Sequence, residues 1–307
     1  MIRFYENASG FSETSEWHPR CWVNVIMPTT DDVAYLTEEL CLPEDFLDDI
    51  SDVDERPRLE RNGKWMMAIL RIPVYESGRD VPYFTVPIGV MLNGDYIVTV
   101  CNFRNALTDD FIEHTRKRGI VVRSSVDFIL RLLNSSAYWF LRYLGNINSN
   151  MTRYEQALRA SIRNEELLNL LNVQKSLVIF AASVKGNKML VERLKRVRFD
   201  DIDTELLEDV QIEISQADST IAIATNMLDR TLDTYASVIS NNVNAIMKRL
   251  TSISIILMVP TLVASFYGMN VDVGIPMDNP WAFPVIICAA LLVTILVCIW
   301  LRKVRWL

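Results

Sequence analysis

The stretch that decides the fold is "YASVISNNVNAIMKRLTSISIILMVPTLVASFYGMN", residues 235–270. Its first part ends in Lys248 and Arg249, and the eighteen residues from Leu250 to Tyr267 then carry no charge. A loop at 268–280 separates this run from "WAFPVIICAALLVTILVCIWL" (281–301), which is also uncharged. Crossing a hydrocarbon core takes about 20 apolar residues, so both runs predict transmembrane helices. Pro260 and the hydroxyls of the first run would also suit a soluble core helix. The second run, following so closely, favours a membrane hairpin.

Charge sets the expected orientation. Lys248 and Arg249 precede the first span, and Arg302, Lys303 and Arg305 follow the second. The intervening loop holds Asp272 and Asp278 and no Lys or Arg. Positive residues stay on the cytoplasmic side, so both termini are expected inside and the loop outside. Trp281, Trp300 and Trp306 stand where interfacial anchors belong. The start, "MIRFYENASG", lacks the pattern of a secretory signal, which agrees with a cytosolic N-terminus.

Upstream of Pro260 there is no Pro or Gly back to Thr204, so one helix of 64 residues is predicted through Tyr267. At 1.5 Å per residue it would be about 95 Å long, of which a bilayer core uses about 30 Å. Leu207, Val210, Ile214, Ala217, Ile221, Ala224 and Leu228 alternate steps of three and four, a heptad seam. The seam continues through Leu232, Tyr235, Ile239, Val243, Ile246 and Leu250 with extra steps of four, which relaxes supercoiling. A seam of this length predicts partners, hence an oligomer. Two further amphipathic helices are expected at 123–162 and 164–196. Before them, "CWVNVIM" (21–27), "WMMAILRI" (65–72), "FTVPIGVML" (84–92) and "DYIVTVC" (95–101) read as strands, with Asn-Gly turns at 62–63 and 93–94. "TTDDVAYLTEELCLPEDFLDDI" reads as helices with a threonine N-cap and a proline break.

The expected organisation is a cytosolic α/β domain (1–107), a helical hairpin (108–200), a stalk (201–249), a first span (250–267), an outer loop (268–280), a second span (281–301) and a basic tail (302–307). The part before the spans and loop is acidic, with 28 basic and 36 acidic residues outside the loop and tail. No nucleic-acid partner is expected from it. Cys21, Cys41, Cys101, Cys288 and Cys298 form no C-x-x-C pair, and His18 and His114 stand in no ligand cluster. No enzymatic constellation and no cofactor site emerge.

On a helical wheel, Met247, Leu250, Thr251, Ser254, Met258, Thr261 and Ser265 share a sector about 100° wide, with Asn244 beside it. Such a stripe fits either close helix packing or a pore of neutral oxygens with apolar constrictions at Leu250 and Met258. Its lack of charge argues against anion and proton pathways. Neutral oxygens suit a cation that keeps its water, and Mg²⁺ sheds its hydration shell reluctantly. An Asn270 ring could select such an ion, and Asp272 and Asp278 would concentrate cations at the mouth.

"YGMN" at 267–270, closing the first of two C-terminal spans, resembles the signature of the CorA family of divalent cation channels. The preceding helix, the tail "RKVRWL" and the segment "FLDDISDVDERPRLE" (46–60), with Arg56-Pro57, are similar to the family as well. The resemblance implies a homopentameric funnel in a cell membrane, with Asn244, Leu250, Met258, Thr261 and Asn270 lining the pore and Gly268-Met269-Asn270 as the outer ion-binding ring. It implies uptake of Mg²⁺, with Co²⁺ and Ni²⁺ as secondary ions and Mg²⁺ also a regulatory ligand. Asp49, or its neighbour Asp48, together with Asp209 would bind that regulatory Mg²⁺ between subunits. The segment is not an EF-hand, since the loop glycine and the final Glu are missing. The loop "VDVGIPMDNP" departs from the Met-Pro-Glu-Leu of many members, which leaves cation attraction to Asp272 and Asp278. A zinc transporter or an efflux protein of the same fold is the alternative, as is a tethered scaffold.

Overall fold

A computed structural model of the chain describes residues 1–19, 21–94, 96–160, 164–197, 202–269, 281–304 and 306. Its contacts divide into two units, Met1–Arg230 and Thr231–Leu307.

The first unit is built on a seven-stranded sheet with strands β1 (Ile2–Asn7), β2 (Phe11–Thr14), β3 (Trp22–Ile26), β4 (Arg58–Asn62), β5 (Trp65–Tyr75), β6 (Tyr83–Asn93) and β7 (Tyr96–Cys101). Their order is β2-β1-β3-β7-β6-β5-β4. Only β3 and β7 pair in parallel, with Trp22 opposite Ile97, because the chain from one to the other crosses through all the intervening elements. The remaining pairs are antiparallel. Both predicted Asn-Gly turns close hairpins, with Gly63 at φ 59° and Gly94 at φ 54°, values at which a side chain would be strained.

Strands β3, β5, β6 and β7 match the four apolar runs of the sequence. Three others do not follow from such runs. The sequence of β4 is "RLERN", with one buried residue, and β1 and β2 bury one each. They lie at the two sides of the sheet, where polar residues protect exposed strand edges, so hydrophobicity does not mark them.

Helices cover both faces. On one, α1 (Thr30–Glu38) and α2 (Glu44–Ser51) bury Leu36, Phe46 and Ile50 against Val23, Val25, Met67, Ile69, Met91 and Val98. The predicted N-cap is a full capping box: the Thr29 hydroxyl accepts from the Asp32 amide (3.2 Å) and the Asp32 carboxylate from the Thr29 amide (2.9 Å). On the other face lie α3 (Ala106–Arg118), α4 (Ser125–Ala160) and α5 (Asn164–Arg196). There Phe11, Trp22, Phe111 and Phe128 form an aromatic cluster, with ring centroids 4.8 Å apart for Phe11–Trp22 and 5.2 Å for Trp22–Phe128.

Helix α6 (Thr204–Tyr267) has the predicted 64 residues, and the boundary between the units falls within it. Leu207, Val210, Ile214, Ala217, Ile221, Ala224 and Leu228 are all buried. Their cover comes from the chain itself, a correction to the sequence argument that the seam calls for other copies. Antiparallel α5 flanks them, joined by hydrogen bonds Gln174–Asp229 (2.7 Å), Lys188–Asp218 (3.1 Å) and Gln211–Glu192 (2.8 Å). The later positions differ. Val243, Ile246 and Leu250 are exposed by half or more, so only this part of the seam still lacks cover.

The second unit contains the rest of α6 and α7 (Ala282–Lys303). Among the described residues three helices are long and apolar enough to cross a membrane: α5, α6 and α7. In their apolar stretches 39%, 6% and 11% of the residues, respectively, are buried within the chain. Helix α5 thus spends its apolar face on the sheet, through residues such as Leu177, Phe180 and Val184, while α6 and α7 leave theirs open.

Candidate functional site

In the second unit, α6 has one covered side. Ser252 is fully buried, and Ile255, Ile256, Val259 and Val263 are half-buried around it. The Ser252 hydroxyl donates to the Trp306 carbonyl (3.3 Å), and Ala290 and Leu301 of α7 are buried. Helix α7 and the tail therefore supply that cover. At 100° per residue, the stripe of Leu250, Thr251, Ser254, Met258, Thr261 and Ser265 points roughly 200° away from it. All six are exposed, as are Met247 and Asn244 at the N-terminal end of the stripe. Ile253, Leu257, Leu262 and Phe266 are exposed too, and being apolar they suit lipid or a neighbouring helix.

Two hydroxyls of the stripe are oriented by the helix itself. Ser254 Oγ donates to the Leu250 carbonyl at 3.0 Å, and Thr261 Oγ1 to the Leu257 carbonyl at 2.8 Å. A serine or threonine hydroxyl has one proton and two lone pairs. With the proton turned back to the helix, these groups face outward as acceptors. The water around a cation presents its hydrogens outward, so a hydrated cation requires acceptors of this kind.

At the end of α6, the Gly268 amide donates to the Ala264 carbonyl (2.9 Å) and the Met269 amide to Phe266 (3.3 Å), closing the last turn. A Cβ at 268 would lie 3.3 Å from the Ala264 oxygen, tight for a side chain. Asn270, Asp272 and Asp278 lie outside the described residues.

The proposed regulatory carboxylates sit in the first unit. Asp49, on the last turn of α2, accepts from Arg58 Nη2 at 2.5 Å. Glu55 binds the same guanidinium through Nη1, and Glu60 accepts from Nε at 3.1 Å. Burial pushes the Asp49 carboxyl above the ordinary aspartate value, and Glu55, Glu60 and Asp45 add to it against the pull of Arg58. One guanidinium thus serves three carboxylates and leaves the group net negative. Asp48 and Asp209 are exposed. No three His, Cys, Asp or Glu side chains gather as a metal-binding group among the described residues, so a single chain does not bring Asp48, Asp49 and Asp209 into one centre. Sequence reading missed Arg58, Glu55 and Glu60. Their signal was the alternation of charge in "ERPRLE" (55–60), which places Arg58 and Glu60 on one side of a strand.

Comparison with known proteins adds four findings. Residues 20–303 match the family model described as CorA-like Mg²⁺ transporter protein. The cobalt/magnesium transport protein CorA of Methanocaldococcus jannaschii is 24% identical over 293 residues, covering 93% of this chain and 91% of that protein. The complete structure of the CorA magnesium transporter from the same organism superposes with a TM-score of 0.86 at 20% identity, covering 100% of this chain and 99% of that one. A zinc transport protein of Yersinia enterocolitica, ZntB, is 22% identical over 94% of this chain and 88% of its own length.

Proposed function

The chain belongs to the CorA-like Mg²⁺ transporter family, and from that premise we propose that it is a passive channel for Mg²⁺ uptake across the cell membrane, with Co²⁺ and Ni²⁺ as secondary ions. The observation that carries the reading is the stripe on α6: exposed, uncharged, set away from α7, and with Ser254 and Thr261 held as acceptors. Several copies placing this face around an axis would form a path for an ion with its water shell. We infer five copies from the family resemblance, and the open positions Val243, Ile246 and Leu250 are consistent with neighbours there. Leu250 and Met258 would form apolar constrictions that close by dewetting, and Asn270 would select at the outer mouth. Both termini would be cytoplasmic and the 268–280 loop outside.

Moving two charges across about 100 mV is worth about 4.6 kcal/mol, enough to drive uptake without a nucleotide. Cytosolic Mg²⁺ would close the channel by binding Asp49 or Asp48 of one copy and Asp209 of the next. A divalent ion is suited to that role because Arg58 leaves its three carboxylates under-neutralised.

The deciding test is rescue of a Mg²⁺-uptake-deficient strain. Wild type should restore growth at low Mg²⁺ and Asn270→Ala should not; equal rescue by both would overturn the pore reading. The similarity to a zinc transport protein supports a second reading, zinc transport or efflux. A liposome flux panel of Mg²⁺, Co²⁺, Ni²⁺ and Zn²⁺ separates the two, with Mg²⁺ expected to compete best.

A further inference from the structure

The segment between α2 and β4 carries Asp52, Asp54 and Glu55 directly after Asp48 and Asp49. Two fastenings hold it to the rest of the first unit. The first is Arg71 in β5. Its Nη1 donates to the carbonyls of Val53 (2.8 Å) and Glu55 (2.9 Å), while Nη2 and Nε donate to the carbonyl (2.8 Å) and hydroxyl (3.0 Å) of Thr85. All four acceptors are neutral, so this guanidinium ties backbone to backbone. Burial lowers the Arg71 pKa, and the nearby charges of Asp54, Asp52 and Glu55 oppose that.

The second fastening is a contact of bare backbone. The ring of Pro57 lies on Gly186 in α5, so close that a Cβ there would stand 2.7 Å from Pro57 Cγ and 2.9 Å from Cδ. Next in α5, Asn187 binds both backbone groups of Arg71. The acidic segment, β5 and α5 therefore share one joint at residues 57, 71, 186 and 187. Helix α5 in turn is hydrogen-bonded to α6 through Gln174, Lys188 and Glu192.

We propose that the Pro57–Gly186 contact transmits the cation-bound state of the acidic segment to α5, making Pro57 and Gly186 positioning residues for channel closure. The inference rests on the Mg²⁺-dependent closure argued above. A cation held by Asp48 or Asp49 at the end of α2 offsets the negative charge that the adjoining segment carries and lets the segment settle. Arg71 fixes the segment's carbonyls, and Pro57 is the point where the same segment bears on a helix. Glycine is needed because only its lack of a side chain admits the ring.

The test uses the full-length protein in liposomes, with Mg²⁺ flux measured as Mg²⁺ is raised on the cytosolic side. Gly186→Ala should raise the Mg²⁺ needed for half-closure by about five- to tenfold, with flux at low Mg²⁺ unchanged. Adding Pro57→Ala, which removes the clashing ring atoms, should return it to within about twofold of wild type. Pro57→Ala alone should shift closure the same way but less, and it decides the matter if Gly186→Ala does not fold. Unchanged closure in the folded variants, or a Gly186→Ala shift that Pro57→Ala does not relieve, would overturn the inference. Wild-type flux that ignores Mg²⁺ would overturn the closure reading along with it.

Discussion

Asn187 stands beside Arg71 as a neighbouring strand would: its Oδ1 accepts from the Arg71 amide at 2.9 Å and its Nδ2 donates to the Arg71 carbonyl at 2.8 Å. Strand β4 begins at Arg58, paired with Ile69, so the ladder stops two residues short of Arg71. On the other side Arg71 faces Pro87 as a non-hydrogen-bonded pair, so both of its backbone groups point away from β6. A carboxamide from α5 completes the pairing. It is 2% exposed, so water cannot replace it. Asn187→Leu should destabilise the fold by about 1–3 kcal/mol, since the buried Arg71 amide loses its partner and the carbonyl keeps only the Ser136 hydroxyl (3.1 Å). A denaturant melt followed by tryptophan fluorescence would measure it, and a loss below about 0.5 kcal/mol would refute the account.

The ion pairs around Arg58 lead to a different expectation. Its side chain is 28% exposed and that of Asp49 34%, so solvent screens the pair. Arg58→Gln should change stability by less than about 1 kcal/mol. It should nonetheless lower the Mg²⁺ concentration needed for closure, because the guanidinium no longer competes with the cation for Asp49. Asp209→Ala should move closure in the opposite direction. Protection of the first unit, Met1–Arg230, from protease by Mg²⁺ is a suitable measurement for both.

At the proposed constriction, Met258→Ser should raise flux several-fold at Mg²⁺ concentrations that close the wild type. A polar side chain there keeps the path wet when an apolar one would dry it. Flux equal to wild type across the Mg²⁺ range would count against Met258 as a constriction.

Thiol chemistry gives a check on both burial and topology. Burial pushes the Cys101 thiol up from 9.0 to about 11, and Cys21 is raised for the same reason. Neither should react with a maleimide at pH 7.5 until the protein unfolds, whereas the exposed Cys41 should react at once, and in intact cells only after permeabilisation. The native state favours the protonated Cys101, so its contribution to stability is complete below pH 9 and is lost as pH rises toward 11.

What the sequence disclosed depended on how each element is stabilised. Helix α6 was legible from end to end, because a run free of Pro and Gly and a lack of charge are properties of the chain itself. The capping box at Thr29 and the Asn-Gly turns were equally local. Strands β1, β2 and β4 were not, since each exists through its neighbour and carries one buried residue. The partner of the heptad seam was hidden for a related reason: periodicity reports that a face is buried but not by what. At the site, the stripe could be read from spacing, while the direction of the Ser254 and Thr261 protons needed coordinates. The link of Asp49 to Arg58 joins residues nine apart through a turn that no period describes.

Helix α6 passes through Pro260 without interruption. Proline has no amide hydrogen, so the carbonyl of Ile256, one turn earlier, lacks the bond that every other turn of the helix makes. Bending there breaks nothing that is not already absent. The helix thus carries one point of low stiffness between Ile256 and Pro260, where its two ends can tilt without local unwinding.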